Sequence, residues 1–471
     1  MQIRERKVYI RHLNCFGRKI FNCLFPALVL SFCITGCQAN ENRSLLGASA
    51  ISIDEAGNAI SDDDMGTEYL TGAVGVPMTQ DEISGDSNGS LDIGSNGSNA
   101  NDNAADGDGI GSSDGNAASG SSMEISDEEI PSSDSPVALL PNEYSFDIKD
   151  GGDTATVVFG GDVLFSEGYA IIYSIARNGG TIEGVIDQGL LDCMRGADIC
   201  MVNNEFPYTL EGAPLEGKTW TFHANPSSVH YLFDMGVDIV SIGNNHIFDY
   251  GAIGLSNTLT TLESVSMPYV GAGRNLEEAS RTVYFNSASG IRIAFISGCD
   301  IEGSDPPFTR GATDTQNGVF RVRQDELLCQ RVMEAKASGA FVVVYMHWGL
   351  ENTLELNYLQ KNQSADLANA GADLIIGDHP HILQNLDYVN GVPVIYSMGN
   401  YLFNSKTLDT GLIEAKIGTE GLISWRFIPG IQSNSTVRMA YGDEKSRIIN
   451  FMQSISPRVV IDGDGYIYPN N

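Results

Sequence analysis

The chain has 471 residues, a formal net charge of −33 and 42% hydrophobic residues, enough apolar material for a large core but with its charge unevenly spread. Residues 1–37 hold six basic side chains and one acidic, residues 38–140 hold twenty acidic and one basic, and the remainder carries −19. Nothing in that remainder resembles a basic face, which excludes a nucleic-acid-binding role.

Arg4, Arg6, Lys7, Arg11, Arg18 and Lys19 precede an apolar run over residues 20–35 that ends at Gly36-Cys37, so residues 1–37 read as an export signal. Ile34-Thr35-Gly36-Cys37 resembles a bacterial lipobox, which implies lipid on Cys37 and an extracytoplasmic protein anchored to the cell membrane as a lipoprotein. The other readings are an uncleaved anchor and an ordinary signal peptide with Cys37 incidental. The run is short for a spanning helix and is interrupted by Asn22, Pro26 and Ser31.

Residues 38–149 are rich in Ser, Gly, Asn and Asp, as in Asp62-Asp63-Asp64 and Gly107-Asp108-Gly109. With little to bury and like charges throughout, they predict a disordered acidic linker. A flexible chain of about 100 residues spans on the order of 55 Å, which suits a stalk and equally a neutral spacer. Among the later cysteines, Cys200 and Cys299 lie in or just after apolar runs and read as buried thiols, while export permits disulfides and leaves the pairing of Cys193, Cys200, Cys299 and Cys329 open.

Residues 150–432 predict a domain in which strands and helices alternate. The β-branched run 154–159 is a buried strand ending at Gly160-Gly161-Asp162, helical spacing covers 182–194, and 198–202 is a second strand running into Asn203-Asn204-Glu205. The alternation repeats with a helix at 227–235, a strand at 238–242, a helix at 254–265 and a strand at 267–270. Residues 282–286 and 291–297 predict an antiparallel hairpin, hence a mixed sheet. A helix at 324–337, a strand at 341–346 and a helix at 358–370 capped by Gly371 follow, then strands at 373–376, 393–397, 411–417 and 421–428. Residues 433–471 read as a C-terminal extension with a helix at 444–454 and a small hairpin, its Asp462-Gly463-Asp464-Gly465 a turn rather than a calcium loop.

In α/β sheets the loops leaving the carboxyl ends of strands converge on one crevice. Asp162, Glu205, Asn245, His246, His347, His379 and His381 all sit at or just past such ends. Their mixed nitrogen and oxygen donors suit a divalent ion such as Mn, Zn or Fe. His379 and His381, two apart in extended backbone, point the same way, toward one ion or two adjacent ones. Paired ions about 3.5–4 Å apart polarise a phosphoryl or carbonyl oxygen and activate water. Singly, each residue has a plainer reading: His347 as a satisfied rim histidine, Trp348 as packing, Asn244 and Asn245 as turn residues, Glu205 as the end of a strand. Their joint placement at successive strand ends is what points to a site.

In chain order, Gly160-Gly161-Asp162, Asn204-Glu205, Asn244-Asn245-His246 with Asp249-Tyr250-Gly251, His347-Trp348-Gly349, Gly377-Asp378-His379-Pro380-His381 and Tyr396-Ser397-Met398-Gly399-Asn400 resemble the motifs of the CapA family, over residues 155–432. That family is associated with poly-γ-glutamate capsule synthesis and is similar in fold to calcineurin-like metallophosphoesterases. The resemblance implies an α/β/β/α sandwich of mixed sheets. It implies one or two divalent metals held by Asp162, Glu205, Asn245, His347, His379 and His381, with Glu205 bridging, and His246 as the acid toward the leaving group, steadied by Asp249.

Two departures from the calcineurin-like pattern matter. Leu164 stands where a histidine is usual, so one metal position loses a ligand, and Asp378 replaces a small or imidazole residue, adding a carboxylate placed to orient His379 or His381. The function implied is a cell-surface capsule protein, a metal-dependent hydrolase acting on an anionic polymer or peptide beside capsule synthesis or export proteins. The alternatives are a non-catalytic assembly factor for capsule export and a hydrolase or epimerase acting on peptides. An acidic domain repels a polyanion, so bound metal and local cations such as Lys218, Arg274 and Arg310 would have to offset that repulsion.

Overall fold

The computed structural model describes residues 140–301 and 308–470, with a short antiparallel pair, Ser52–Ile53 and Ala59–Ile60, in a separate unit spanning Cys15–Glu129. The expected export signal, Cys37 and most of the expected linker lie outside the described residues. Among the described residues no helix is long and apolar enough to cross a membrane.

Two mixed sheets face one another. The first has seven strands in the order Leu386–Val389, Val392–Ile395, Leu374–Asp378, Phe341–His347, Arg292–Cys299, Val283–Ser287 and Glu143–Phe146. The second runs Thr436–Met439, Gly421–Ser433, Leu408–Gly418, Ala155–Val163, Ile199–Asn204, Ile239–Ser241 and Tyr269–Val270, with Asn400–Leu402 also pairing on Ala155–Val163. The central strands of both sheets are parallel, so their carboxyl ends lie at one pole.

Alternation along these strands sorts side chains into three apolar layers. Val157, Phe159, Met201, Phe295, Val343, Tyr345 and Phe427 fill the space between the sheets. Their neighbours Val158, Val202 and Val240 face outward onto Leu190, Leu191, Leu255 and Leu259 of the helices Gln188–Gly196 and Gly251–Ser264. On the other side Val342, Val344 and Ile375 meet Leu328, Val332 and Leu367 of Glu326–Ala337 and Tyr358–Ala370. Each such side chain contributes roughly 1.5–3 kcal/mol by leaving water. The result is the α/β/β/α sandwich expected from the sequence.

Several boundaries differ from expectation. The helix expected at 182–194 is a short 3₁₀ turn, Ile182–Gly184, and a separate helix, Gln188–Gly196. The break falls where the Asp187 carboxylate accepts from the amides of Gly189 (2.7 Å) and Leu190 (3.2 Å), starting the second helix afresh. The strand Leu386–Val389 was not expected. It forms a hairpin with Val392–Ile395 around Asn390-Gly391, whose φ values of 49° and 86° are those of a tight hairpin turn.

The domain is also larger than residues 150–432. Glu143–Phe146, expected in the linker, adds a strand parallel to Val283–Ser287, and Tyr144 stacks on Phe285 at 5.3 Å. At the other end, position 432 lies inside the strand Gly421–Ser433, which pairs with Thr436–Met439. The following helix, Gly442–Ile455, buries Ile448, Ile449 and Met452 in the layer between the sheets, so residues 433–471 are core rather than appendage.

Candidate metal centre

Strand register assembles the site. Asp162 is opposite Asn203 on one side and Asn400 on the other, and in the facing sheet His347 is opposite Asp378. Asn400 can approach because residue 161 is glycine: a Cβ there would lie 2.0 Å from the Gly399 carbonyl oxygen, which instead accepts from the Asp162 amide at 3.1 Å.

Around His347, acceptor atoms converge. Its Nδ1 lies 2.8 Å from Asp378 Oδ1, a contact that fixes the orientation of the ring. Its Nε2 is 2.7 Å from Asn245 Oδ1, 3.1 Å from His379 Nδ1 and 3.7 Å from Glu205 Oε1. Burial, joined by the charges of His381, His246 and Lys218 and opposed by Asp162, lowers the His347 pKa to about 3, which keeps the ring neutral. Burial likewise holds His379 well below the usual imidazole range, with His347 and His381 adding to the effect.

A second group shares Glu205. Asp162 Oδ1 and Glu205 Oε2 both accept from Asn203 Nδ2, at 2.9 and 3.1 Å. Asp162 Oδ2 lies 3.3 Å from His381 Nδ1, which also meets Asn400 Oδ1 at 2.8 Å. Burial works against the Asp162 carboxylate, but His381, His347 and Asn203 outweigh it and lower its pKa to about 2. Burial also works against a charged His381, yet Asp162, Glu351 and Asn400 raise it. Glu205 and Asp378 are pushed well above the carboxylate range by burial and then by the charge of Asp162.

Asp162, Glu205 and Asp378 are 0% exposed. Asp162 Oδ2, Glu205 Oε1 and Asp378 Oδ2 each meet no aligned hydrogen-bond donor among the described residues. Leaving a carboxylate oxygen buried in this way is strongly unfavourable. The donor atoms of Glu205, His347 and His379, of Asp162, Glu205 and His381, and of Asp162, His347 and Asp378 form three groups, each within 4.8 Å. Mixed carboxylate, amide and imidazole donors fit one divalent cation or two, with Glu205 placed between two of the groups.

His246 stands at the edge of this cluster. Its Nδ1 lies 2.8 Å from Asp249 Oδ2, which also accepts from the Phe222 amide at 2.7 Å, and its Nε2 faces Glu205 Oε1 at 4.0 Å. Phe222 packs on the His246 ring at 4.3 Å, Phe403 on the His381 ring at 4.9 Å, and the two phenyl rings meet edge to face at 5.8 Å. These rings form an apolar wall along the outer side of the cluster.

All eight predicted site residues within the described chain are thus brought together, with three differences of detail. His379 and His381 are not extended: their φ values of 90° and 59° are left-handed, and their rings, 5.9 Å apart, reach the cluster by a strained turn around Pro380. Asp378 orients His347, not His379 or His381. Arg274 lies elsewhere, paired with Glu263 and Glu278, whereas Arg310 sits over the Phe248 ring at 5.4 Å and Lys218 reaches the site itself. Leu164 packs into the outer apolar layer. Sequence reasoning gave no role to Asn203, Asn400, Phe222 or Phe403. The two asparagines lay inside motifs already singled out, but the phenylalanines had no local signal.

Residues 156–405 match the family model described as Bacterial capsule synthesis protein PGA_cap. The chain is 30% identical over 232 residues to the PGA biosynthesis protein CapA of Bacillus subtilis (strain 168), covering 48% of this chain and 60% of that one. It is 30% identical over 268 residues to the capsule biosynthesis protein CapA of Bacillus anthracis, covering 54% and 63%. It is 25% identical over 285 residues to a probable polyglutamine synthesis accessory protein of Mycobacterium tuberculosis, covering 55% and 73%. The match thus spans about three-fifths of the length of each Bacillus relative. A solved structure, TT1561 of Thermus thermophilus, is 8% identical and covers 57% of this chain and 95% of its own at a TM-score of 0.30, a likeness too loose to carry an argument.

Proposed function

We propose, from the premise that the chain belongs to the bacterial capsule synthesis protein PGA_cap family, that its domain is a metal-dependent hydrolase acting on an anionic capsule polymer of the polyglutamate kind. The reading places it outside the cytoplasm, held to the membrane through lipid on Cys37. What supports the chemistry is the cluster of buried acceptors: three carboxylate oxygens without aligned donors and two imidazole nitrogens 3.1 Å apart, beside a histidine braced by a carboxylate.

Asp162, Glu205, Asn245, His347, His379 and His381 would hold the metal, one or two ions of Mn, Zn or Fe. The metal supplies Lewis-acid polarisation of the scissile group and activation of water. Asn203 orients Asp162 and Glu205 together through one amide nitrogen, and Asp378 fixes the ring of His347. Asp249 keeps the Nδ1 proton of His246 in place, so Nε2 is the atom that exchanges a proton with the leaving group. Phe222 and Phe403 exclude water from that side of the reacting centre.

The mycobacterial relative, a probable polyglutamine synthesis accessory protein, favours a second reading in which the domain assists assembly of the polymer without turnover. Elemental analysis of the purified chain and of His379→Ala, with hydrolysis of phosphodiesters, γ-glutamyl polymers and peptides, separates the two. The hydrolase reading expects metal in the wild type, less in the variant, and turnover of one substrate class that His246→Ala abolishes. Metal with no turnover of any class would leave the assembly role.

A further inference from the structure

Between Arg195 and Arg274 the chain has no arginine and a single lysine, Lys218. It stands in the largely exposed loop after Thr209, yet its side chain is only 5% exposed. The ammonium lies 2.9 Å from Asp249 Oδ1, an ion pair rather than an aligned hydrogen bond, and donates to the Asn245 carbonyl oxygen at 2.6 Å. The loop is tied to the same place by its backbone, since the Leu215 amide donates to the Asp249 carbonyl at 2.9 Å and the Lys218 amide to the Leu215 carbonyl at 3.3 Å.

Those two contacts reach different halves of the site. Asp249 turns its other oxygen, Oδ2, to His246 Nδ1 and to the Phe222 amide. Asn245 presents its side-chain oxygen 2.7 Å from His347 Nε2, while its carbonyl also accepts from Thr309 Oγ1 at 2.8 Å. A lysine present only to balance the buried Asp249 charge has no need of the Asn245 carbonyl. Contact with both makes one ammonium common to the proton-carrying imidazole and the metal-holding amide.

We propose that Lys218 is a positioning residue that sets these two halves relative to each other, an inference that rests on the hydrolase reading for the role of His246. By occupying Asp249 Oδ1 it leaves Oδ2 for His246, which selects the Nδ1–H tautomer and aims Nε2 at the cleft. By holding the Asn245 carbonyl it fixes the turn that delivers the Asn245 amide to His347. Lys218 is too enclosed to grip a substrate, and its effect is exerted through Asp249 and Asn245.

The test uses the full chain with Lys218→Met and Lys218→Arg. Three readouts are compared with wild type: the His246 tautomer in metal-free protein by ¹⁵N-edited NMR, assigned with His246→Gln; Mn²⁺ affinity by calorimetry; and hydrolysis of aryl phosphodiesters with leaving groups of graded basicity. Lys218→Met is expected to lose the single Nδ1–H tautomer, to weaken Mn²⁺ binding roughly ten- to hundred-fold, and to slow poor leaving groups more than good ones. Lys218→Arg, which keeps a cation and its donors, is expected to recover part of each. A folded Lys218→Met with the wild-type tautomer and Mn²⁺ affinity would overturn the proposal. If that variant does not fold, Lys218→Gln is read by the same criteria, and failure of both to fold would assign Lys218 a structural role alone. If wild type binds Mn²⁺ but hydrolyses nothing, the hydrolase reading falls, while the tautomer and affinity measurements still decide the role of Lys218.

Discussion

Two buried carboxylate clusters in this domain are resolved in opposite ways. Around Arg274, Glu263 accepts from the guanidinium at 2.6 and 2.7 Å, and Glu278 accepts from it at 2.9 Å. The Tyr269 hydroxyl donates to Glu278 at 2.6 Å and lies 3.1 Å from Glu263, and the Arg274 amide meets the remaining Glu278 oxygen at 2.9 Å. Every carboxylate oxygen there has a donor from the chain itself. In the cleft, Asp162, Glu205 and Asp378 are fully buried without an arginine, and each has an oxygen without an aligned donor. Where the chain brings its own guanidinium the acids are part of the framework; where it leaves carboxylate oxygens without aligned donors, the cluster has the donor set of a cation site.

Substitutions in each cluster should therefore fail differently. The largest effect is expected at the edge of the cleft, where His246→Gln should lower turnover by about 10²–10⁴-fold with Mn²⁺ affinity retained, as steady-state kinetics and calorimetry would read. A loss of metal with the turnover would place His246 among the ligands instead. Next, Glu263→Gln breaks a self-contained pair whose arginine is 36% exposed and should cost about 1–3 kcal/mol in urea denaturation while leaving Mn²⁺ binding intact. Glu205→Gln should do the reverse: Mn²⁺ affinity is lost, and the metal-free protein is at least as stable as wild type. Equal destabilisation by both would erase the distinction.

A smaller effect is expected from Asp378→Asn, which removes the acceptor that orients His347 and should weaken Mn²⁺ binding roughly 10–100-fold. The smallest concerns Asp300, whose amide donates to the His347 carbonyl at 2.9 Å while Oδ1 is buried without an aligned partner. Burial, only partly countered by Arg323 and Arg321, raises its pKa from 3.8 to about 6. The folded state then holds that proton more tightly than the unfolded chain, so the stabilisation is complete below pH 3.8 and is lost as pH rises through about 6. Asp300→Asn should gain about 1 kcal/mol on wild type at pH 8 and nothing at pH 3, measured by urea melts at both. A gain equal at the two pH values would mean that the folded and unfolded chains hold that proton equally tightly.

Much of the fold was legible because its signals are local. Strands such as Phe341–His347 and Leu374–Asp378 are apolar on both faces, and Tyr358–Ala370 ends at a left-handed Gly371, as its sequence indicates. Glu143–Phe146 was hidden by the acidic composition before it and is held by pairing with a strand about 140 residues away. The helix Gly442–Ile455 was foreseen as a helix, but not that its apolar stripe closes the layer between the sheets. A stripe states that a face is buried, not against what.

The site divides along the same line. Sequence alone placed a carboxylate, an amide or an imidazole at each successive strand end, and parallel strands must bring such ends to one pole, so the membership of the cluster followed from order and type. Tertiary structure decided how those groups face one another. Asp378 turned to His347, the His-Pro-His turn took left-handed backbone at both histidines, and Lys218 entered from a loop without pattern. The physical reason is range: side-chain alternation is set by adjacent residues, whereas the partner of a buried charge is whichever group the packed sheets and loops leave within about 3 Å of it.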